Sequence, residues 1–194
     1  MIENKRLNWV IKAHPANSVK DYRDKKKNKS ELDAINEVVN KLPEHIKFID
    51  CDDSTSTISY FDFIDYCLTV RGTVGIEAAC WGIPVITAGS GRYDNIGFTI
   101  DHKSKKSYQR TLKNILKIEK YNNSKRNLAI AFAHELFCKR IFKTKNINFS
   151  FKRDLNFSLN ADVNADEVYD SKNLETLSKW LENNDEDYIN DKIY

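Results

Sequence analysis

The stretch from Val70 to Ile100, VRGTVGIEAACWGIPVITAGSGRYDNIGFTI, limits the possible folds most, because strand, glycine turn, helix, glycine stop, strand and loop follow one another without interruption. Tyr66 to Val70 is short, mostly apolar and β-branched, which suits a strand in a parallel sheet, and Arg71-Gly72 breaks it. A helix then opens with Thr73 as N-cap and Glu77 near its positive end, and Gly82 stands where a C-cap glycine belongs. Gly75, Ala78 and Ala79 carry almost no bulk, so this helix can lie close to the sheet and its first amides can approach a ligand's oxygens. Pro84 to Thr87 reads as the next strand, and Ala88-Gly89-Ser90-Gly91 as a loop at its carboxyl end, where ligands of open α/β sheets bind. An anion there would meet backbone N–H groups, the Thr73 hydroxyl and the Arg71 charge. Glycines at such turns also occur without any ligand. The crowding of Arg71, Thr73, Glu77, Ser90, Arg92 and Tyr93 at one end of the sheet favours a binding site.

A second cluster lies near the start of the chain. Leu7 to Ala13 reads as a strand, and His14-Pro15-Ala16-Asn17 ends it, since Pro15 cannot continue a central ladder. His14 is thereby placed at a strand's carboxyl end. An imidazole there can donate a hydrogen bond to a phosphate or pass a proton to a leaving group. An isolated His-Pro would more simply satisfy a loop carbonyl, but here it accompanies the glycine-rich stretch.

Taken together, KAHPAN (Lys12 to Asn17), RGTVGIEAACWGIPVITAG (Arg71 to Gly89) and RYDNIGFTID (Arg92 to Asp101) resemble the carboxyl-terminal half of capsular-polysaccharide glycosyltransferases with a GT-B fold. The nearest resemblance is to those that transfer Kdo from a CMP-linked donor, and it runs from about Leu7 to Ile118. It implies an α/β, Rossmann-like domain: an open, mainly parallel sheet with helices on both faces, binding a CMP-linked or UDP-linked nucleotide sugar. By the same resemblance His14 is the catalytic residue that contacts the donor phosphate. Arg71, Gly72, Thr73, Gly75, Ser90 and Arg92 line the donor site, and Glu77 matches the acid near the donor ribose. In such enzymes the acceptor and the base belong to another domain. This chain opens with a strand equivalent to the second one of the donor domain, so the expectation is a donor-binding half. Such a half depends on a separate acceptor domain or a capsule-synthesis complex, and transfers no sugar alone. A non-catalytic nucleotide-binding scaffold and a fragment of a GT-B UDP-N-acetylglucosamine 2-epimerase are the alternatives.

The remainder sets the organisation. At 194 residues and 41% hydrophobic the chain can bury one domain's core. We expect the nucleotide-sugar-binding domain over 1–145 and an acidic, helical C-terminal extension over 146–194. Asp21 to Lys29 reads as a charged loop, Ser30 onward as a helix through Leu32, Ile35, Val38 and Val39 ended by Pro43, and Ile46 to Ile49 as a strand. Ile58 to Ile64, Ser104 to Ile118 and Asn123 to Phe142 read as helices, the last through Leu128, Phe132, Leu136 and Ile141. Asn146 to Asn160 reads as strand or loop, Asn164 to Asp170 as a linker, and Ser171 to Glu182 as a short helix. Residues 161–194 carry a net charge of −7, which leaves +10 on residues 1–160.

That basic body lacks nucleic-acid motifs, and its lysines are spread over helix faces without interleaved aromatics, so no nucleic-acid partner is expected. A solvated surface accounts for them best, with peripheral contact to anionic membrane lipid as the second reading. Cys51, Cys67, Cys80 and Cys138 show no CxxC spacing and read as reduced thiols of a cytoplasmic protein. No cofactor or metal is expected: His45, His102 and His134 make no ligand set, and Asp52-Asp53 reads as a turn cap.

Overall fold

The computed structural model describes residues 1–14, 31–140, 148–151, 157–160 and 172–183. It contains two compact units, Met1–Thr55 with Phe149–Ser158, and Ser56–Asn148 with Leu159–Tyr194. No helix among the described residues is long and apolar enough to cross a membrane.

In the first unit β1 (Trp9–Lys12) and β2 (Ile46–Ile49) pair in parallel, with Trp9 opposite Ile46 and Lys12 opposite Ile49. A parallel pair needs a crossover, and α1 (Glu31–Val38) lies in that connection. The expected stripe on α1 is only half realised. Leu32, Ile35 and Val39 are half-buried, but Val38, at the stripe's edge and the helix's last position, is 82% exposed. The N-terminal segment is tied down by Trp9, whose indole N–H donates to Asn4 O at 3.4 Å, and by His45, whose Nε2 lies 3.3 Å from Met1 O. After β2, Asp53 takes the turn-capping role its sequence suggests. Its carboxylate accepts the Thr55 amide at 2.8 Å, bonds from Thr55 hold its pKa below the usual value, and Lys12 stands 3.7 Å away.

The second unit is built on β3 (Cys67–Thr69), α2 (Val74–Cys80) and β4 (Val85–Thr87). Cys67, Leu68 and Thr69 stand opposite Val85, Ile86 and Thr87 in parallel register, and Ile100 bridges to Ile86. The C-terminus of α2 is a Schellman motif: Gly82 N–H donates to Ala79 O and Ile83 N–H to Ala78 O, both at 3.0 Å, with Gly82 at φ +85°. Arg126 Nε adds a bond to Cys80 O at 2.8 Å, placing a cation at the negative end of the helix.

The core of this unit gathers Phe61, Cys67, Ile76, Ala78, Ala79, Ile83, Val85, Tyr93, Phe98 and Ala129. Tyr93 is central to it. Its ring stacks on Phe98 at 5.9 Å, and its hydroxyl donates to Gly72 O at 2.7 Å. Burial pushes the Tyr93 and Tyr121 phenols and the Cys67 thiol each up to about 12.

The sequence suggests one open sheet over residues 7–101 with helices on both faces. The described strands are instead three or four residues long and pair two by two. Pro43, Gly72 and Pro84 stand within three residues of strand ends and keep the ladders short.

The helices after β4 are also shorter than their apolar spacing suggests. α3 (Lys105–Lys113) starts from a capping box between Ser104 and Ser107 and closes at Asn114, whose side chain donates back to Arg110 O. Ile115 then enters the core from a separate 3-10 turn, Ile115–Lys117. Thr57–Tyr60 is likewise a 3-10 turn where a brief helix to Ile64 is expected.

α4 (Asn123–His134), capped by Asn122, buries Ala129 and leaves Leu128 40% exposed, then loosens into a π turn over Glu135–Lys139. β5 (Asn148–Phe151) pairs with β6 (Phe157–Asn160), and α5 (Lys172–Asn183) is the helix of the C-terminal extension. The expected charged loop, Asp21 to Lys29, the end of the expected helix to Phe142, and the expected linker, Asn164 to Asp170, lie outside the described residues.

A Cβ added at Gly75 would run into the Tyr93 hydroxyl. Gly75→Ala is therefore expected to destabilise by about 1–3 kcal/mol, the usual cost of overpacking. Tyr93→Phe should lose about 1 kcal/mol for its hydrogen bond yet relieve part of the Gly75→Ala penalty, a coupling that urea unfolding of the four-protein cycle measures.

The same burial sets an alkaline limit. Below about pH 8 the two phenols and the Cys67 thiol are largely neutral both folded and unfolded, the thiol being the first to ionise in the unfolded chain. As pH rises towards 12 the unfolded chain loses these protons first, so stability should fall across that window. Thermal midpoints at pH 8 and pH 11, beside an ultraviolet tyrosine titration, check this.

Candidate functional site

Two loops at the carboxyl ends of β3 and β4 form the second unit's candidate rim. The β3 loop, Val70 to Thr73, is held by Gly72 N–H donating to Thr69 Oγ1 at 3.2 Å and by the Tyr93 hydroxyl on Gly72 O. The β4 loop, Ala88 to Arg92, leaves β4 through Ala88 N–H on Thr69 O at 2.9 Å. Arg71 joins the loops, its Nε donating to Ser90 O at 2.8 Å. Gly91 lies against the Arg71 stem, and its amide is fixed by Asp94 Oδ1 at 2.9 Å. Arg71, Thr73, Ser90 and Arg92 are all exposed along this rim.

Three sequence expectations change at this rim. Thr73 is the N-cap residue of α2, but its backbone is αR and its side chain makes no capping bond. A residue already in the helical region holds its hydroxyl away from the N2 and N3 amides. Gly75 is buried under Tyr93 and its amide donates to Gly72 O at 3.0 Å, so close packing accounts for this glycine and its N–H is engaged. Tyr93, counted with the rim from sequence, is 2% exposed and belongs to the core. Among the described residues, the Thr73 and Val74 amides are the first-turn donors with no protein acceptor.

Glu77 is half-buried one turn further into α2. Its charge adds to burial in raising the pKa of Cys67, at the amino end of β3, and of Cys80. His14 belongs to the first unit. It follows Ala13 just past β1 and is exposed, as the sequence places it, while Pro15 to Asn17 of its motif lie outside the described residues.

Sequence reasoning passed over a polar centre behind the β4 loop, half-buried apart from the buried Thr87 and the exposed Asn95. Thr87 ends an apolar strand at 1% exposure, and its hydroxyl donates to Asp101 Oδ1 at 2.8 Å. The Thr99 hydroxyl donates to the same oxygen at 2.8 Å, and the amide of Asn95, at φ +62°, to Asp101 Oδ2 at 2.8 Å. His102 continues the set: Nδ1–H donates to Thr87 O at 3.1 Å and Nε2 accepts from the Thr111 hydroxyl at 2.8 Å. The available signal was Thr87 itself, because a threonine closing the apolar run Pro84 to Ile86 needs an acceptor once buried.

The family model for capsule polysaccharide biosynthesis proteins matches residues 1–137, which span β1 through α4 and both loop motifs. The chain belongs to the capsule polysaccharide biosynthesis family. No curated protein and no solved structure matches it. The His14 motif and the Arg71 to Asp101 stretch both fall inside the matched region.

Asp101→Ala would strip three donors of their acceptor, and we expect it to destabilise the capsule-family fold by about 2–4 kcal/mol. Thr87→Val, which removes one of the three bonds, should cost about 1–2 kcal/mol. Denaturant unfolding of both variants measures the difference.

Proposed function

We propose that this capsule-biosynthesis protein binds the nucleotide-sugar donor of a GT-B type glycosyltransferase, with a CMP-linked acid sugar of the Kdo kind as its substrate class. The observation that carries the reading is the junction of the two loops by Arg71 and Ser90 at the carboxyl ends of β3 and β4. That is where parallel α/β architectures take ligands. Arg71 uses Nε for this junction, which leaves its terminal nitrogens for an anion, and Arg92 adds a second exposed cation. The Thr73 and Val74 amides supply two backbone donors for phosphate oxygens. Gly72 serves by allowing the tight turn, since a Cβ there would stand 3.1 Å from Thr69 Oγ1. Ser90 offers its hydroxyl to a ribose or sugar oxygen, and Glu77 is assigned to the ribose on the family resemblance. His14 is proposed from its own motif as a donor of a charged hydrogen bond to phosphate.

Calorimetric titration with CMP and with UDP tests this. Wild type should bind CMP more tightly than UDP. Arg71→Ala and His14→Ala should each lose about 1–3 kcal/mol, the worth of a hydrogen bond to a charged group. Failure of wild type to bind either nucleotide would sink the donor reading, and unchanged affinity in one variant would remove that residue's proposed role.

A further inference from the structure

The segment from Lys103 to Lys120 carries seven lysines and arginines among its eighteen residues and a single acid, Glu119. All seven cations are exposed, and none forms an ion pair with a carboxylate of the described residues. On α3, Lys106, Arg110 and Lys113 fall at i, i+4 and i+7, within a narrow arc of the helix. Tyr108 and Thr111 lie on its other side, where Tyr108 meets His102 edge-on and Thr111 bonds it. The basic stripe therefore faces away from the contacts that fix the helix. Just beyond it Leu116 is 45% exposed between Lys113 and Lys117.

We infer that this α3 face docks the protein on an anionic phospholipid bilayer. A row of cations on one helix side with an apolar residue at its end matches a charged headgroup plane over hydrocarbon. Single-stranded nucleic acid fits less well. Its binding sites interleave cations with aromatic platforms, whereas Tyr108, the aromatic of α3, is turned towards His102. Among the described residues no acid occupies the stripe. Glu175 of α5 pairs within its helix with Lys179, and no carboxylate of the described residues reaches the α3 cations. The inference does not depend on the donor reading.

Sedimentation of the full chain with vesicles tests it, using pure phosphatidylcholine and a mixture with about 30% phosphatidylglycerol. The protein should bind the anionic vesicles, ignore the neutral ones, and release in about 0.5 M salt. Each cation removed should weaken binding about fivefold, so Lys106→Gln, Arg110→Gln and Lys113→Gln together should cost about a hundredfold. Lys5→Gln, Lys41→Gln and Lys47→Gln together make the same change in net charge in the first unit and should bind nearly as wild type. The Lys106→Arg, Lys113→Arg protein should also keep its binding. Equal losses in the two triple variants would reduce the effect to net charge and overturn the proposal. So would absence of binding to anionic vesicles, or displacement from them by a short single-stranded DNA at equal charge.

Discussion

One contact organises the second unit: the Tyr93 side chain lies over Gly75 with its hydroxyl on Gly72 O. Tyr93 comes from the loop after β4, Gly72 from the turn after β3 and Gly75 from the first turn of α2. A single side chain thus joins the exit of each strand to the start of the helix between them. The arrangement needs glycine at position 75, since any Cβ would meet the phenol, and a short turn at Gly72, since Thr69 and Val74 crowd it. The phenol is kept neutral far into the alkaline range by its burial, so the bond to Gly72 O is always one in which the hydroxyl donates.

A second layer of constraint lies behind it. The carboxylate of Asp101 collects the Thr87 and Thr99 hydroxyls and the Asn95 amide, and His102 links the end of β4 to Thr111 on α3. These bonds hold Thr87, just before the β4 loop, while Tyr93 holds the residue just after it. The loop's exposed members, Ser90 and Arg92, stand between two fixed points, so their positions follow from groups bonded within the protein that need touch no ligand.

The local grammar of the fold was legible because each signal there is a backbone requirement. Gly82 at a helix stop, Pro84 before a strand and the polar turn after Ile49 each force one local geometry. Lengths were less legible. Ser104 to Ile118 has the apolar spacing of one helix, yet Asn114 bonds back to Arg110 O and ends it, because a side-chain amide competes with the next helical bond. The stripe on α4 was legible in part: Phe132 and Leu136 pack against the core, Phe132 with its ring 5.4 Å from Phe98, but Leu128 at the stripe's edge is 40% exposed and its neighbour Ala129 is the buried residue. Helix α2 presents Ala78 and Ala79 to that contact, and small residues draw Ala129 against them more closely than Leu128 could lie. For the site, sequence located the two loops and the residues on their rim. It could not tell an aromatic that packs from one that binds, and so it counted Tyr93 with the rim.

A residue's availability separates the two classes once the hydrogen bonds are known. A group that serves a ligand must reach solvent with a donor or acceptor still open, whereas a group that shapes the site has its polar atoms already paired. Gly75 N–H, Tyr93 Oη and Asp101 fall in the second class, each with its partner inside the protein. Thr73, Ser90 and Arg92 keep the exposure that the first class requires, on a rim whose backbone is fixed from below. Arg71 belongs to both, since Nε ties the two loops while the rest of the guanidinium projects from an exposed residue. Replacing it by lysine would keep the charge but give up the planar fork, so the loop junction and the proposed anion contact would be lost together through that one side chain.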